Sequence, residues 1–513
     1  MTALPTDPVP GRPPGVPHTG ANRRPAAPRA VPPPFPFQER PGVRAPEEYD
    51  GLLARPGPCA VRLPGGAEAL VVSRYAEVRA VLSDDRFSRA RYPGRPMFAR
   101  TPESLALATS DPPVHTRRRR AVLRAFTARR ARQQAPWLRA LAGELLDAMA
   151  AAPGPADLVE AFTVPFAFRA IARIIGIPPG DRDRLRPLVD RMMSTTAFAP
   201  REVAAAHEEA GRYFDDLVAA RRAALDRGEP GSDLLTELLA APEPERLTPR
   251  EISVLGAGLL MAGYETTANQ LAMCALMVFA DPAWADELRA VPGAVAPAVE
   301  EMLRWSSLVA TGGAPHVATE DVRLGGTLVR AGQVVVPLTD AANRDPAVFE
   351  APGVFTPARS PNPHLAFGHG RHFCLGADLA RTELRVGLTA LLGLPGLTLA
   401  VPPEGLEWRR GMFIRGPRTV PVHVTPPPPG DGSRAAVADG DGSRAAAAEG
   451  SGFRAAVAEG DGCRAVAAER DGSRAVAAEG SVPRAVAPEG HTPRAASPGR
   501  TVLSRSVPGG VAR

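Results

Sequence analysis

Apolar positions along the chain recur mostly with the three-to-four-residue period of a helix, and with a period of two only in short runs. The segment TPREISVLGAGLLMAGYETTANQLAMCALMVFA, residues 248–280, opens on Thr248 with Glu251 three places on, a capping-box pattern. It is apolar nearly all round, which predicts a buried central helix. Residues 111–150, DPPVHTRRRR through DAMA, predict a helical region after a Pro-Pro start, and GAVAPAVEEMLRW, 293–305, predicts another helix. DVRLGGTLVRAGQVVVP, 321–337, alternates and turns at glycine, the pattern of a small β-hairpin. The expected fold is one mainly α domain with a minor β subdomain over residues 37–424.

Composition shifts outside those bounds. Residues 1–36 are rich in Pro, Ala and Arg and predict a disordered, partly polyproline-like arm. After TPPPPGDG, arginines at 434, 444, 454, 464, 474, 484 and 494 mark a decapeptide repeat with almost no large apolar side chain. Its Ala-rich runs are too short to hold a helix alone, so residues 425–513 predict a disordered low-complexity tail.

Charge and cysteine usage narrow the class. Cys59, Cys274, Cys374 and Cys463 lie far apart without a CxxC pair, which excludes a disulfide scaffold or zinc ribbon and suits a reducing cytosol. No apolar run reaches bilayer length, so a soluble, cytoplasmic protein without membrane attachment is expected. The net charge of +6 is modest. Apolar residues interrupt the arginine-rich helical region 111–150 at helical spacing, and it has no aromatic stacking platform, so no nucleic-acid partner is expected.

Chemistry concentrates in FGHGRHFCLG, residues 367–376, a glycine-rich loop running into a predicted helix just after Cys374. A helix N-terminus favours a thiolate, and glycines let a large flat ligand approach the backbone. A lone thiolate suits a single axial ligand to haem iron. Structural zinc would need three more ligands, absent at ligand spacing. A Cys–His nucleophile with His372 is the other reading of this loop.

Four further motifs discriminate between them. With AGYETT at 262–267, EMLR at 301–304, DPPVHTRRRR and AANRDPAVF, the loop resembles the cytochromes P-450, in particular soluble actinobacterial members that tailor macrolides and other secondary metabolites. The resemblance runs in order over residues 37–424. It implies the P-450 fold with haem b between the central helix and the helix after Cys374, and Cys374 as axial iron ligand. It implies a monooxygenase that inserts one oxygen atom of O2 into an organic substrate. No GxGxxG follows a strand, so electrons from NAD(P)H are expected indirectly, through a ferredoxin and a ferredoxin reductase. A monomer is expected. The partner would dock near the cysteine, at Arg371 and the exposed members of Arg117, Arg118 and Arg120.

Roles follow residue by residue. His115 and Arg119 lie four apart on one helix face and can grip a haem propionate together. The same helix also reads as a solvated face. By resemblance His372 binds a propionate, while His316 stands where the family usually has Arg and could hydrogen-bond a propionate more weakly. Phe367, Gly368, Gly376 and Ala262 complete the cofactor contacts. Glu265 and Thr266 form an acid–alcohol pair for proton delivery to dioxygen, Thr266 bonding back to a carbonyl and loosening the helix. Tyr264 carries no assigned role, and Cys274 reads as ordinary core. Glu301 and Arg304 pair as a structural lock, whose usual third member, an Arg, is replaced by Val354. The substrate pocket is expected from Val309, Ala310, Phe413, the segments 308–313 and 411–416, and the loop 92–101, suiting a bulky, weakly polar small molecule. A P-450-fold enzyme doing oxidative coupling, desaturation or peroxide-driven chemistry, or a non-catalytic scaffold, are the rival readings. The Glu265–Thr266 pair argues against the first and Cys374 against the second.

Overall fold

The computed structural model describes residues 31–37, 41–63, 66–92, 107–243, 246–394 and 396–424. Contacts divide the chain into Met1–Ala458 and Glu459–Arg513, and every described residue belongs to the first unit. The first 30 residues of the predicted arm, residues 93–106, and the repeat beyond Val424 with its Cys463 lie outside them. The arm expected over 1–36 is packed at its end: Phe35 is buried and Pro34 bridges Arg62.

Helices dominate, as the periodicity predicts. The central helix runs Pro249–Ala280. Its capping box is formed: the Glu251 N–H donates to Thr248 Oγ1 at 3.2 Å and the Thr248 N–H to Glu251 Oε2 at 3.0 Å. Around it pack the helices Val164–Ile175, Pro200–Asp226, Val295–Trp305 and Ala377–Leu392, with Ala128–Ala151 against the last. Two glycines set how closely these helices approach. A β-carbon at Gly263 would lie 2.7 Å from the Ile171 side chain, and one at Gly387 would lie 2.8 Å from Leu271.

The minor sheet has five strands in the order Cys59–Arg62, Glu68–Val72, Val334–Pro337, His316–Ala318, Phe87–Ser88. Glu68–Val72 and Val334–Pro337 are parallel, and the other neighbours are antiparallel. The predicted hairpin divides: Val322–Leu324 pairs with Thr327–Val329 across Gly325 and Gly326, both at positive φ, and Val334–Pro337 joins the larger sheet instead. The four residues of that last strand are all buried, which explains why its pattern is continuous rather than alternating.

Candidate active site

The cysteine loop is held by its own backbone. Cys374 N–H donates to Phe367 O at 2.8 Å, and Gly368 N–H to Leu365 O at 2.8 Å. Gly368 and Gly370 adopt positive φ, and a β-carbon at Gly370 would lie 2.5 Å from Leu82 O, so the loop lies against the helix Tyr75–Ser83 only because glycine is there. Gly376 precedes the helix Ala377–Leu392. Cys374 is exposed, yet burial pushes its thiol up, while the Gly376 N–H, Arg119 and Arg381 pull it down. Packing around the sulfur thus disfavours its charged form even though part of the residue stays accessible. Among the described residues no group of three or more His, Cys, Asp or Glu is arranged to hold a metal by itself.

Beside Cys374 lies a cluster of basic side chains. The rings of His115 and His372 are 4.3 Å apart, and the Nε2 of His115 is buried without a hydrogen-bond partner. Burial, then Arg119, Arg89 and Arg371, push His115 down to about 4. His372 is pushed far down by burial, then by Arg89, His115, His316 and Arg371. His316 is lowered well below its usual value by burial and Arg89. Six cationic or protonatable groups thus converge in a desolvated region, opposed by Asp111, which pulls Arg89 and His115 upward. Such a cluster is electrostatically matched to an anion. Sequence reasoning missed Arg89, whose only signal was its place after the Phe87–Ser88 strand.

On the central helix, Ala262 is exposed between the buried Met261 and the half-buried Gly263. Thr266 Oγ1 donates to Ala262 O at 2.6 Å, the back-bond expected of it. Glu265 is 1% exposed, and its Oε1 accepts from Arg409 Nη1. Arg409 Nη2 donates to Asp190 Oδ1 at 3.0 Å. A buried acid needs such a partner, but Arg409 lies 144 residues away in the chain, beyond any sequence-local signal. Tyr264 packs edge-on to Phe168, and Cys274 is fully buried core.

The candidate pocket wall is assembled by backbone pairing. Val309 bridges Ile414, Ala310 N–H donates to Phe413 O at 2.9 Å, and Phe413 N–H donates to Met193 O at 2.8 Å. Arg415, the one charge in 411–416, turns away and donates to the carbonyls of Arg44, Ser307 and Gly42. Of the loop 92–101, only Tyr92 is among the described residues.

The lock behind the cysteine loop has three members after all. Arg304 Nε and Nη2 each donate to Glu301 at 2.7 Å, and both side chains are fully buried. Arg359 Nε donates to both Glu301 oxygens at 3.1 Å. Val354 contributes only its carbonyl, which accepts from Arg304 and Arg359. Arg304 also donates to Asn343 O at 2.9 Å, and Asn343 Oδ1 accepts the Leu365 N–H at 2.6 Å, which ties the lock to the start of the cysteine loop.

The docking arginines fare unevenly. Arg117 and the buried Arg118 both pair with Glu251 of the central helix, and Arg371 pairs with Asp85. Arg120 is exposed.

Comparison with known proteins agrees with this geometry. The family described as Cytochrome P450 matches residues 295–394. Nocardicin C N-oxygenase from Nocardia uniformis subsp. tsuyamanensis is 43% identical over 393 residues, covering 76% of this chain and 98% of that one. Mycinamicin IV hydroxylase/epoxidase from Micromonospora griseorubida is 41% identical, covering 77% and 99%. The solved structure of the mixed-function P450 MycG superposes with a TM-score of 0.69 at 39% identity, covering 76% of this chain and 100% of that one. The chain belongs to the cytochrome P450 family. It is a haem-thiolate monooxygenase, its cofactor a haem whose iron takes a cysteine thiolate. Bacterial enzymes of this type draw electrons from ferredoxin and reductase partners. No helix among the described residues is long and apolar enough to cross a membrane.

Proposed function

We propose that Cys374 would supply the thiolate to the haem iron, that His115, Arg119 and His372 would hold the haem carboxylates, and that Phe367, Gly368, Gly376 and Ala262 would bound the macrocycle. The observation that carries this is the buried, partnerless Nε2 of His115, set among convergent cations beside the cysteine loop. When bound, the haem supplies the activation of dioxygen. The protein's part is to bind, to exclude water and to deliver protons.

Proton delivery falls to Thr266 and Glu265. Thr266 holds its hydroxyl on the Ala262 carbonyl one turn back in a continuous helix, and Glu265 sits beside it with Oε1 fixed by Arg409. Asp190, whose side chain is 31% exposed, continues the polar chain toward solvent. Arg409 is a positioning residue: it aims the carboxylate and leaves Oε2 for a proton-carrying water. Thr266→Ala is expected to keep haem and substrate binding but to divert reducing equivalents to hydrogen peroxide. Glu265→Gln is expected to slow O2-dependent turnover by about a hundredfold with little change in substrate affinity. Arg409→Gln should also slow turnover, yet add little to Glu265→Gln, because it acts through that acid. Product formed per NAD(P)H consumed, with peroxide quantified alongside, checks all three. Parent coupling and rate in the variants would assign the protons to another path.

The substrate is a bulky, weakly polar natural product. Val309, Ala310 and Phe413 share one apolar wall, and the named relatives oxidise nocardicin C and mycinamicin IV. A spectral titration with macrolides and other large apolar metabolites is expected to perturb the Soret band where small polar acids do not. The reverse pattern would overturn the substrate class. The protein acts as a cytoplasmic monomer supplied by a ferredoxin that meets Arg371 and the exposed Arg117 and Arg120, while Arg118 is buried against Glu251.

A further inference from the structure

Where the family usually carries an arginine, this chain has His316, and the structure gives that histidine no hydrogen to offer an anion. Its Nδ1 faces Ala314 O at 2.9 Å, and a carbonyl only accepts, so Nδ1 carries the proton. Its Nε2 is then an acceptor, and Arg89 Nε donates to it at 3.1 Å. Both ring nitrogens are occupied in the neutral tautomer.

Register explains why Arg89 is there. Phe87 pairs with Ala318 and Ser88 with Val317, so the next step of the antiparallel ladder brings Arg89 opposite His316. Asp111 fixes this end of the strand: its oxygens accept from Ser88 Oγ and, at 3.2 Å, from the Arg89 backbone N–H. The carboxylate is thereby spent on the backbone and the serine. Among the described residues the Arg89 guanidinium has no carboxylate at ion-pair distance. Of its five N–H donors one goes to His316 and one to Ala108 O at 3.3 Å, which leaves three. A half-buried guanidinium without a close carboxylate is costly, and its desolvation pushes Arg89 down to about 10 against the pull of Asp111.

We propose that Arg89, not His316, is the cation that grips a haem carboxylate on this side of the cofactor, and that His316 is its positioning residue. The missing arginine has been replaced from the neighbouring strand rather than lost. This rests on the haem reading above. Three free donors in a planar fork match a carboxylate, which a neutral imidazole acceptor cannot attract.

The test follows haem loss from the purified holoprotein to excess apomyoglobin, with the reduced CO spectrum recorded for every variant. Arg89→Met is expected to speed haem loss about tenfold, the worth of one charge-assisted pair. Adding His316→Arg to Arg89→Met should bring the rate back to within a few-fold of the parent, since it restores the cation from the other strand. His316→Phe alone should speed loss less than Arg89→Met does, because Arg89 stays but is unaimed. Parent-like haem loss in Arg89→Met, or no slowing by His316→Arg in a variant whose far-ultraviolet circular dichroism is unchanged, overturns the proposal. Should Arg89→Met not yield holoprotein, recovery in the double variant supports it and continued failure overturns it. A thiolate-type CO band in the parent keeps the haem reading separate from either outcome.

Discussion

Cys374→Ala is expected to abolish the red-shifted Soret band that the reduced protein shows with CO, and to abolish turnover with it. No other described thiol can substitute: Cys274 is fully buried in the central helix, and Cys59 lies in the Cys59–Arg62 hairpin strand. The loop is built around this one sulfur. Its N–H is fixed on Phe367 O, the Gly376 N–H is directed at it, and Arg119 and Arg381 add positive charge. Arg381 itself is held by Glu300 through bonds of 2.8 and 3.0 Å and stacks 4.5 Å from the Phe367 ring, so the charge is positioned. Alanine keeps the loop's fold and removes only the ligand atom. Retention of the band in Cys374→Ala would sink the assignment.

Local pattern carried the fold far. The nearly all-apolar central helix, its Thr248–Glu251 box, and the glycine loop running into a helix are each written within a few dozen residues, and each is formed. What sequence did not reveal are partners brought together by tertiary packing. Arg409 meets Glu265 across 144 residues, Arg89 meets His316 across 227, and Arg359 meets Glu301 across 58. All three are arginines, whose long side chains reach a buried acid or ring from several backbone positions, so spacing alone does not select them. Val354 and His316 read as missing members of two constellations because only the residue at the usual position was considered. The structure supplies a guanidinium to each from elsewhere, Arg359 to Glu301 and Arg89 to His316. At the docking arginines, too, packing adds what the sequence does not state. Arg118 is buried against Glu251, and Arg117 pairs with the same carboxylate while staying exposed, neither of which periodicity reports.

Arg304→Met is expected to cost about 3–5 kcal/mol, the usual penalty for breaking a buried ion pair by removing one partner. Because Arg359 still neutralises Glu301, the lower part of that range is the expected one. Glu301 and Arg304 are wholly inaccessible, and without Arg304 the carboxylate keeps Arg359, Asn362 Nδ2 and the Thr356 N–H while losing its two shortest bonds. The carbonyls of Asn343 and Pro352 lose their donor as well. Loss at Asn343 loosens the residue whose amide oxygen holds Leu365, so haem retention should fall along with stability. Arg359→Met should cost less, about 1–3 kcal/mol, because Glu301 stays paired with Arg304. Val354→Ala should be close to neutral: its side chain is exposed, and only its carbonyl joins the network. Urea unfolding midpoints, read beside haem content, give the order of the three variants. If Arg359→Met unfolds where the parent does, Arg359 is not the third member, and the pair stands alone behind the cysteine loop.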